Sequence, residues 1–396
     1  MKIGRFTQFA FVLAIVALIV GLSACDQIQQ VLFPPEPEKP PEMPPEMVAP
    51  EIPIGVVVAQ TGPFAAAYGL PMLDGFRLAS EHINSSGMLG DAKIKLIEKD
   101  DQSVSAVGPV NELIGAGIST IVGFAISTQL EGVTQTAQDN EVVLFSSVSS
   151  APVLEGRGNF TFRSGLTSAV LNPPLVMATQ AKFGYQTAAT IYHEGDTYST
   201  LSDKAFRDAL AENGVAVVAM ETYQGDATAY TEELTRIMEA NPEALFISAL
   251  GAHIPQIIVE ARELMPSVHV FVPELTGIEV TGAGDAAEGV VTSIGWFSMN
   301  DNPMNQAFIQ SYTATYGEAP VAWAAQSYAT LNILAAAIVQ AYATTHSIEA
   351  TAIRDALAHT MDFPTVLGNF SFGADGDGVY APNILVVENG EFVAFE

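Results

Sequence analysis

IGVVVAQTGPFAAAYG (54–69), running on to EHINSSGMLG (81–90), KIKLIEK (93–99) and DDQS (100–103), decides the fold of this chain. An apolar run ends in Thr61-Gly62-Pro63. A helical segment follows from Tyr68 to Ile83 and stops at Asn84-Ser85-Ser86-Gly87. A second apolar run then ends in Asp100-Asp101-Gln102. The order is strand, loop, helix, strand, with loop chemistry after each strand. In parallel α/β sheets ligands bind at the carboxyl ends of strands, so function is expected in those loops.

Working outward, the same β-α rhythm repeats. In a first lobe, strands are predicted at 54–59, 93–99, 120–123 and 142–145, with helices from Tyr68, Val104 and Thr128. In a second lobe, strands are predicted at 188–192, 215–221, 244–248, 269–272 and 290–295. Helices there are predicted at 170–183, 198–213, 230–240 and 255–264. Helical stretches at 303–316, 322–342 and 348–359 follow, then short strands at 368–372, 381–387 and 391–394. The expected fold class is α/β: two doubly wound parallel-sheet lobes, with the chain returning to the first after completing the second.

Toward the N-terminus, Lys2 and Arg5 precede a 14-residue apolar run (9–22) and then Leu22-Ser23-Ala24-Cys25. The run is short for a bilayer span and has a signal-peptide layout. Leu-Ser-Ala-Cys resembles the bacterial lipobox, which implies cleavage before Cys25 and lipid attachment to its sulfur. Cys25 is the sole cysteine of 396 residues, so no intrachain disulfide forms and acylation explains the thiol better than packing does. From 34 to 53, nine of twenty residues are proline, interleaved with glutamates. Proline lacks the backbone donor, so this segment is expected to stay out of a sheet and act as a spacer of roughly 60 Å. Residues 1–24 are thus read as a leader and 25–51 as a tether, followed by two globular lobes. No stretch after Cys25 reads as a transmembrane helix.

Fifteen basic residues face 44 acidic ones, a formal charge of −29. Such a field repels phosphate backbones and argues against nucleic acid as a partner. It could favour cationic ligands, although a solubilising surface is the plainer explanation. The enzyme motifs are missing: there is no Gly-x-Ser-x-Gly, no His-Glu-x-x-His and no P-loop. The six histidines are scattered without metal-ligand spacing. Asp375-Gly376-Asp377-Gly378 superficially looks like a calcium loop, but Val379 and Val386 stand where ligating oxygens are needed. A glycine-rich turn explains it better. No metal and no cofactor is expected. A hydrolase built from Ser150, His253 and Glu274 has the right residue types but no context that prepares a nucleophile.

The segments quoted above, with TIVGFAIST (120–128), VLFSSVSSAPVL (143–154), FRSG (162–165), VPE (272–274) and GNFSFGADGDG…VENGEFV (368–393), resemble the type I periplasmic binding fold in order and spacing. More narrowly they resemble the branched-chain amino-acid-binding receptors of ABC importers, across nearly all of 52–396. The resemblance implies two lobes, 52–166 with 297–378 and 167–296 with 379–396. Three crossovers near Leu166, Phe297 and Val379 join them, and the lobes close on a small ligand. It implies ABC permease and ATPase partners, a monomer, export, and attachment to a membrane through the lipid anchor alone.

The expected site follows. Hydroxyl residues at strand ends that begin helices make an anion cradle, because side-chain O–H and backbone N–H groups point at one spot. Ser127 and Thr128 hold this place after the third strand, and Ser149 and Ser150, beside Val148, after the fourth. The alternative is that these serines merely cap helices. By resemblance the cradle takes a ligand carboxylate, Tyr68 covers the ligand and Tyr198 closes over it. His253 stands where several relatives carry tyrosine, and either donates to the ligand or faces solvent. The resemblance pairs Glu274 with a ligand ammonium through a charge-assisted bond. Thr167 stands where many relatives place a second acid. An amide, a urea-like compound or another small carboxylate therefore remains open beside leucine, isoleucine or valine.

Overall fold

β1 (Glu51–Val58) is buried along its last five residues because helices cover both faces of its sheet, the arrangement that makes parallel strands uniformly apolar. The computed structural model describes residues 50–154 and 157–396. The leader, Cys25 and all but the end of the tether lie outside the described residues. β2 (Lys93–Asp100), β3 (Thr120–Gly123), β4 (Val143–Ser146) and β5 (Thr161–Arg163) complete a parallel sheet in the order β2-β1-β3-β4-β5. The second lobe repeats the plan. β6 (Thr187–His193), β7 (Ala216–Tyr223), β8 (Ala244–Ser248), β9 (His269–Phe271) and β10 (Val291–Ile294) run parallel in the order β7-β6-β8-β9-β10. β11 (Phe363–Thr365), β12 (Gly368–Phe372) and β13 (Gly378–Val379) form a small antiparallel sheet. β14 (Asn383–Glu388) and β15 (Glu391–Ala394) then return as antiparallel edge strands beside β10.

Helices α1 (Leu70–Ser86), α2 (Val107–Gly115) and α3 (Ser127–Asp139) cover the first sheet. α4 (Ser168–Phe183), α5 (Thr197–Glu212), α6 (Thr231–Glu239), α7 (Ile254–Leu264) and α8 (Gly277–Ala283) belong to the second. α9 (Pro303–Tyr316), α10 (Ala322–Thr345) and α11 (Ala350–Ala358) come back to the first lobe, sharing one apolar core with β1 and α1. The chain passes between the sheets through three short segments, 164–167, 295–302 and 380–382.

Three sequence expectations give way here. Pro53 does join the sheet: it pairs with Lys95 inside β1. The N–H it lacks is not missed, because β3 meets β1 only from Gly55 onward. Strand β5 and helix α8 were not anticipated. β5 is three residues long, and α8 is announced only by the capping box Thr276/Glu279. Finally, α10 is long and apolar enough, by length and composition, to cross a membrane. It does not act as a span in this fold, since most of it is buried in the first-lobe core.

Candidate functional site

Each sheet changes winding direction between a pair of strands, β1/β3 in the first lobe and β6/β8 in the second, and the segments leaving those strands face one another across the cleft. This is where ligand sites of open parallel sheets arise. A cavity here is lined by Tyr68, Ala125, Ile126, Ser127, Val148 and Ser150 from one side. Tyr198, Ala249, Leu250, Ile254, Pro273 and Glu274 line the other, and Trp323 from α10 closes its wall. Its free volume is only about 20 Å³, because the lobes touch. That is room for a single water, so a larger guest must part the walls. A roomier groove of about 470 Å³ lies at the amino ends of β6, β8 and β9, lined by Tyr185, Glu243 and His269 among others. It is on the wrong side of the sheet for the chemistry.

Tyr68 reaches the cleft because the chain after β1 enters α1 through one π-helical turn (Ala65–Gly69). Gly69 makes that turn possible: a Cβ there would lie 1.7 Å from the Ala59 carbonyl oxygen. The phenol stacks on Trp323 at 5.6 Å and accepts a hydrogen bond from Gly251 N at 2.8 Å, across the cleft. Burial, with the charge of Glu279, raises its pKa, so it stays a neutral phenol.

Ser127 opens α3 yet does not cap it; the N-cap position is Ile126, with no side-chain cap. Its Oγ instead lies 2.9 Å from Ser149 Oγ and accepts from Ala151 N at 3.2 Å. No helix follows Ser149 and Ser150 among the described residues before β5, contrary to the strand–helix expectation. Capping is thereby excluded as the reason for any of the three serines. Ser150 Oγ donates to Glu274 Oε2 across the cleft at 2.5 Å.

Glu274 is held in the left-handed region (φ 58°), a backbone conformation uncommon for non-glycine residues. Its N–H is anchored to Ser293 O at 2.8 Å. Burial pushes its carboxyl up to about 8, against the hydrogen bonds of Ser150 and Tyr198, which favour the charged form. Tyr198, in the first turn of α5, is held well above its ordinary value by burial and by Glu274 itself. No Lys, Arg or His lines the cavity among the described residues.

Several expected residues stand elsewhere. Thr128 is exposed and outside the cavity: its Oγ1 donates to Asp196 Oδ1 at 2.8 Å and accepts from Thr197 N at 3.0 Å. Thr197 Oγ1 in turn donates to Glu131 Oε2 at 2.8 Å, so the start of α3 is fastened to the start of α5. His253 neither reaches the cavity nor stands free in solvent. Its Nδ1 is 2.6 Å from Tyr230 Oη, within an aromatic cluster that includes His193 and Tyr223. Ser149 supports Ser127 from behind, and Thr167 is buried at the start of α4 outside the wall. Val148 lines the cavity as expected. Trp323 was missed; its Nε1 is buried without a partner. It begins a long apolar helix, and such residues read as core.

Residues 51–391 match the periplasmic binding protein family. The chain is 23% identical over 358 residues to the leucine-, isoleucine-, valine-, threonine- and alanine-binding protein of Pseudomonas aeruginosa, covering 88% of this chain and 91% of that one. It is 24% identical over 335 residues to the Leu/Ile/Val/Thr-binding protein of Salmonella typhimurium, covering 83% and 89%. Among solved structures, the branched-chain amino acid transporter substrate binding protein of Streptococcus pneumoniae, in complex with isoleucine, superposes with a TM-score of 0.78. That pair shares 23% identity and covers 87% of this chain and 98% of that one. A solute binding protein of R. palustris in complex with benzoate superposes equally well, at 0.78 with 19% identity, covering 87% and 95%. Its relatives are receptors rather than enzymes, and the Ser150–Glu274 contact has no histidine within the cleft to activate it. With two sheets meeting at a cleft walled by hydroxyls, aromatic rings and one acid, and with a family match spanning nearly the whole described chain, this protein belongs to the periplasmic binding protein family and has its two-lobed type I fold.

Proposed function

We propose that the chain is the exported, lipid-anchored capture receptor of an ABC importer, closing on a small hydrophobic amino acid. Leucine, isoleucine or valine fits the reading best. Glu274 carries it: it is the one acid lining the described cavity, with no cation in the wall to balance it. A bound ammonium supplies that charge, and a charge-assisted bond in a closed cleft is strong. Ser127 and Ser150 offer hydroxyls to the ligand carboxylate, while Ile126, Val148, Leu250 and Ile254 offer apolar surface to its side chain. Once ionised, above about pH 8, the same acid disfavours benzoate-type ligands, whose charge is wholly negative.

The pH dependence of leucine affinity, read by calorimetry, tests this. An ammonium ligand needs Glu274 as carboxylate, so affinity rises with pH up to about 8 and then levels. A neutral amide or urea-like ligand, the second reading, is favoured by that same raised value because a protonated Glu274 donates to it. Its affinity falls over the same range. The receptor then serves sensing or uptake of a different solute class. Retention of an unaltered affinity profile for leucine across this window removes Glu274 as the ammonium partner.

A further inference from the structure

The Asp375-Gly376-Asp377-Gly378 turn has no part in the ligand chemistry above, yet it holds the least expected charge in the molecule. Arg163, at the end of β5, is wholly buried. Its Nε and Nη2 each donate to an Asp377 oxygen at 2.7 Å, a two-pronged pair. Arg157 Nη2 lies 2.6 Å from Asp377 Oδ1. The backbone is joined as well, since Arg163 N donates to Gly376 O at 3.0 Å. Burial works against ionisation of Asp377, but the two guanidinium groups outweigh it and hold its carboxyl below the ordinary value.

The remaining arm of this guanidinium reaches the loop that follows Ser150. Arg163 Nη1 donates to the Ala151 carbonyl, and Nη2 to Pro152 O at 3.4 Å. Ala151 N is the donor to Ser127 Oγ, and Ser150 directly before it donates to Glu274. One planar group therefore connects the segment leading into the third inter-lobe connection to the peptide that sets two cleft hydroxyls, Ser127 and Ser150. A buried ion pair contributes little net stability compared with well-packed apolar residues, so its use here is better explained by geometry than by stability. We propose that Arg163, locked by Asp377, is a positioning residue that aims the 147–151 loop at the ligand's carboxylate. This rests on the amino-acid reading of the cleft.

The test uses Asp377→Asn, which keeps shape and frees one arm of the fork, and Arg163→Lys, which keeps charge but cannot reach both Asp377 and Ala151. Neither side chain lines the cavity. Hydrogen–deuterium exchange in the unliganded protein is expected to quicken at 147–151 and stay unchanged in β1. Leucine affinity is expected to fall about tenfold or more, the loss of one well-aimed bond to a charged group, while leucinamide, which keeps the ammonium but has no carboxylate, changes less than about twofold. Equal losses for both ligands, or unchanged exchange at 147–151, overturn the proposal. If Asp377→Asn does not fold, Arg163→Lys decides by the same two readings. If the wild type binds neither compound, the amino-acid reading falls and the exchange result alone judges the positioning role.

Discussion

Glu274 combines a strained backbone, a hydroxyl partner and a raised pKa, and each has a measurable consequence. Between the ordinary value of 4.5 and about 8, an unfolded chain has lost the proton that the native cleft keeps. The native state therefore binds more protons in this window, and its stability declines as pH rises through it, then levels. Glu274→Gln removes this group's part of that slope. Melting curves of both proteins at pH 5 and pH 8.5 should show the wild type losing more stability than the variant as pH rises. For ligand binding the same substitution is expected to weaken leucine by roughly 2–5 kcal/mol, the range for truncating one partner of a buried charge pair. Its keto acid, lacking the ammonium, should lose little or gain. Identical responses of leucine and keto acid to the substitution end the assignment of an ammonium partner.

At the scale of the elements, the segments after β1, β3, β4, β6, β8 and β9 build the cleft, and their backbone does as much as their side chains. Gly251 shows this. A Cβ there would lie 2.5 Å from Glu279 Oε1 and 2.9 Å from the Tyr68 phenol oxygen. Neither neighbour is free to retreat, because Glu279 caps α8 and Tyr68 is stacked on Trp323. Gly251→Ala should press on the α8 capping box within its own lobe and on Tyr68 across the cleft, at roughly 1–3 kcal/mol, the usual cost of overpacking. A lowered melting temperature together with a weaker leucine titration checks it. Replacing Ser127 and Ser150 together with alanine removes two bonds to a charged group, roughly 1.5–3 kcal/mol each, and should lower affinity by at least about a hundredfold. The helix–strand rhythm was legible because apolar runs and helical stretches alternate over most of the chain. Tyr68, Ser127, Val148, Ser150, Tyr198 and Glu274 were legible because they follow strand ends. Trp323 was not, since it reaches the cleft from a helix distant in sequence, and Thr128 and His253 were misread because loop position says nothing about which way a side chain turns. β5 carries too few residues to show a period.

For the whole molecule, the contact between lobes is itself structured. Thr128, Asp196, Thr197 and Glu131 fasten the starts of α3 and α5 outside the cavity. Thr128→Ala removes two of these bonds without touching the ligand wall. At about 1 kcal/mol per bond it should weaken every ligand by the same factor and leave selectivity unchanged. Affinities for leucine and valine measured side by side decide this; a changed ratio would mean Thr128 contacts the guest after all. The anchor is tested separately. Cys25→Ala should release the protein from membranes or leave its leader uncleaved, and membrane retention with normal processing would refute acylation.

The two tryptophans of the chain give the molecule an optical readout of its own. Trp323 lies in the cleft wall against Tyr68, and Trp296 sits in the second inter-lobe connection with its Nε1 donating to Asn305 at 2.6 Å. Both are almost wholly shielded from water while the lobes touch. Parting the lobes wets the indole of Trp323 and shifts its emission to the red, while Trp296→Phe leaves it as a lone reporter. The receptor can thus serve as an unlabelled fluorescent gauge of its own solute, calibrated by nothing more than a titration.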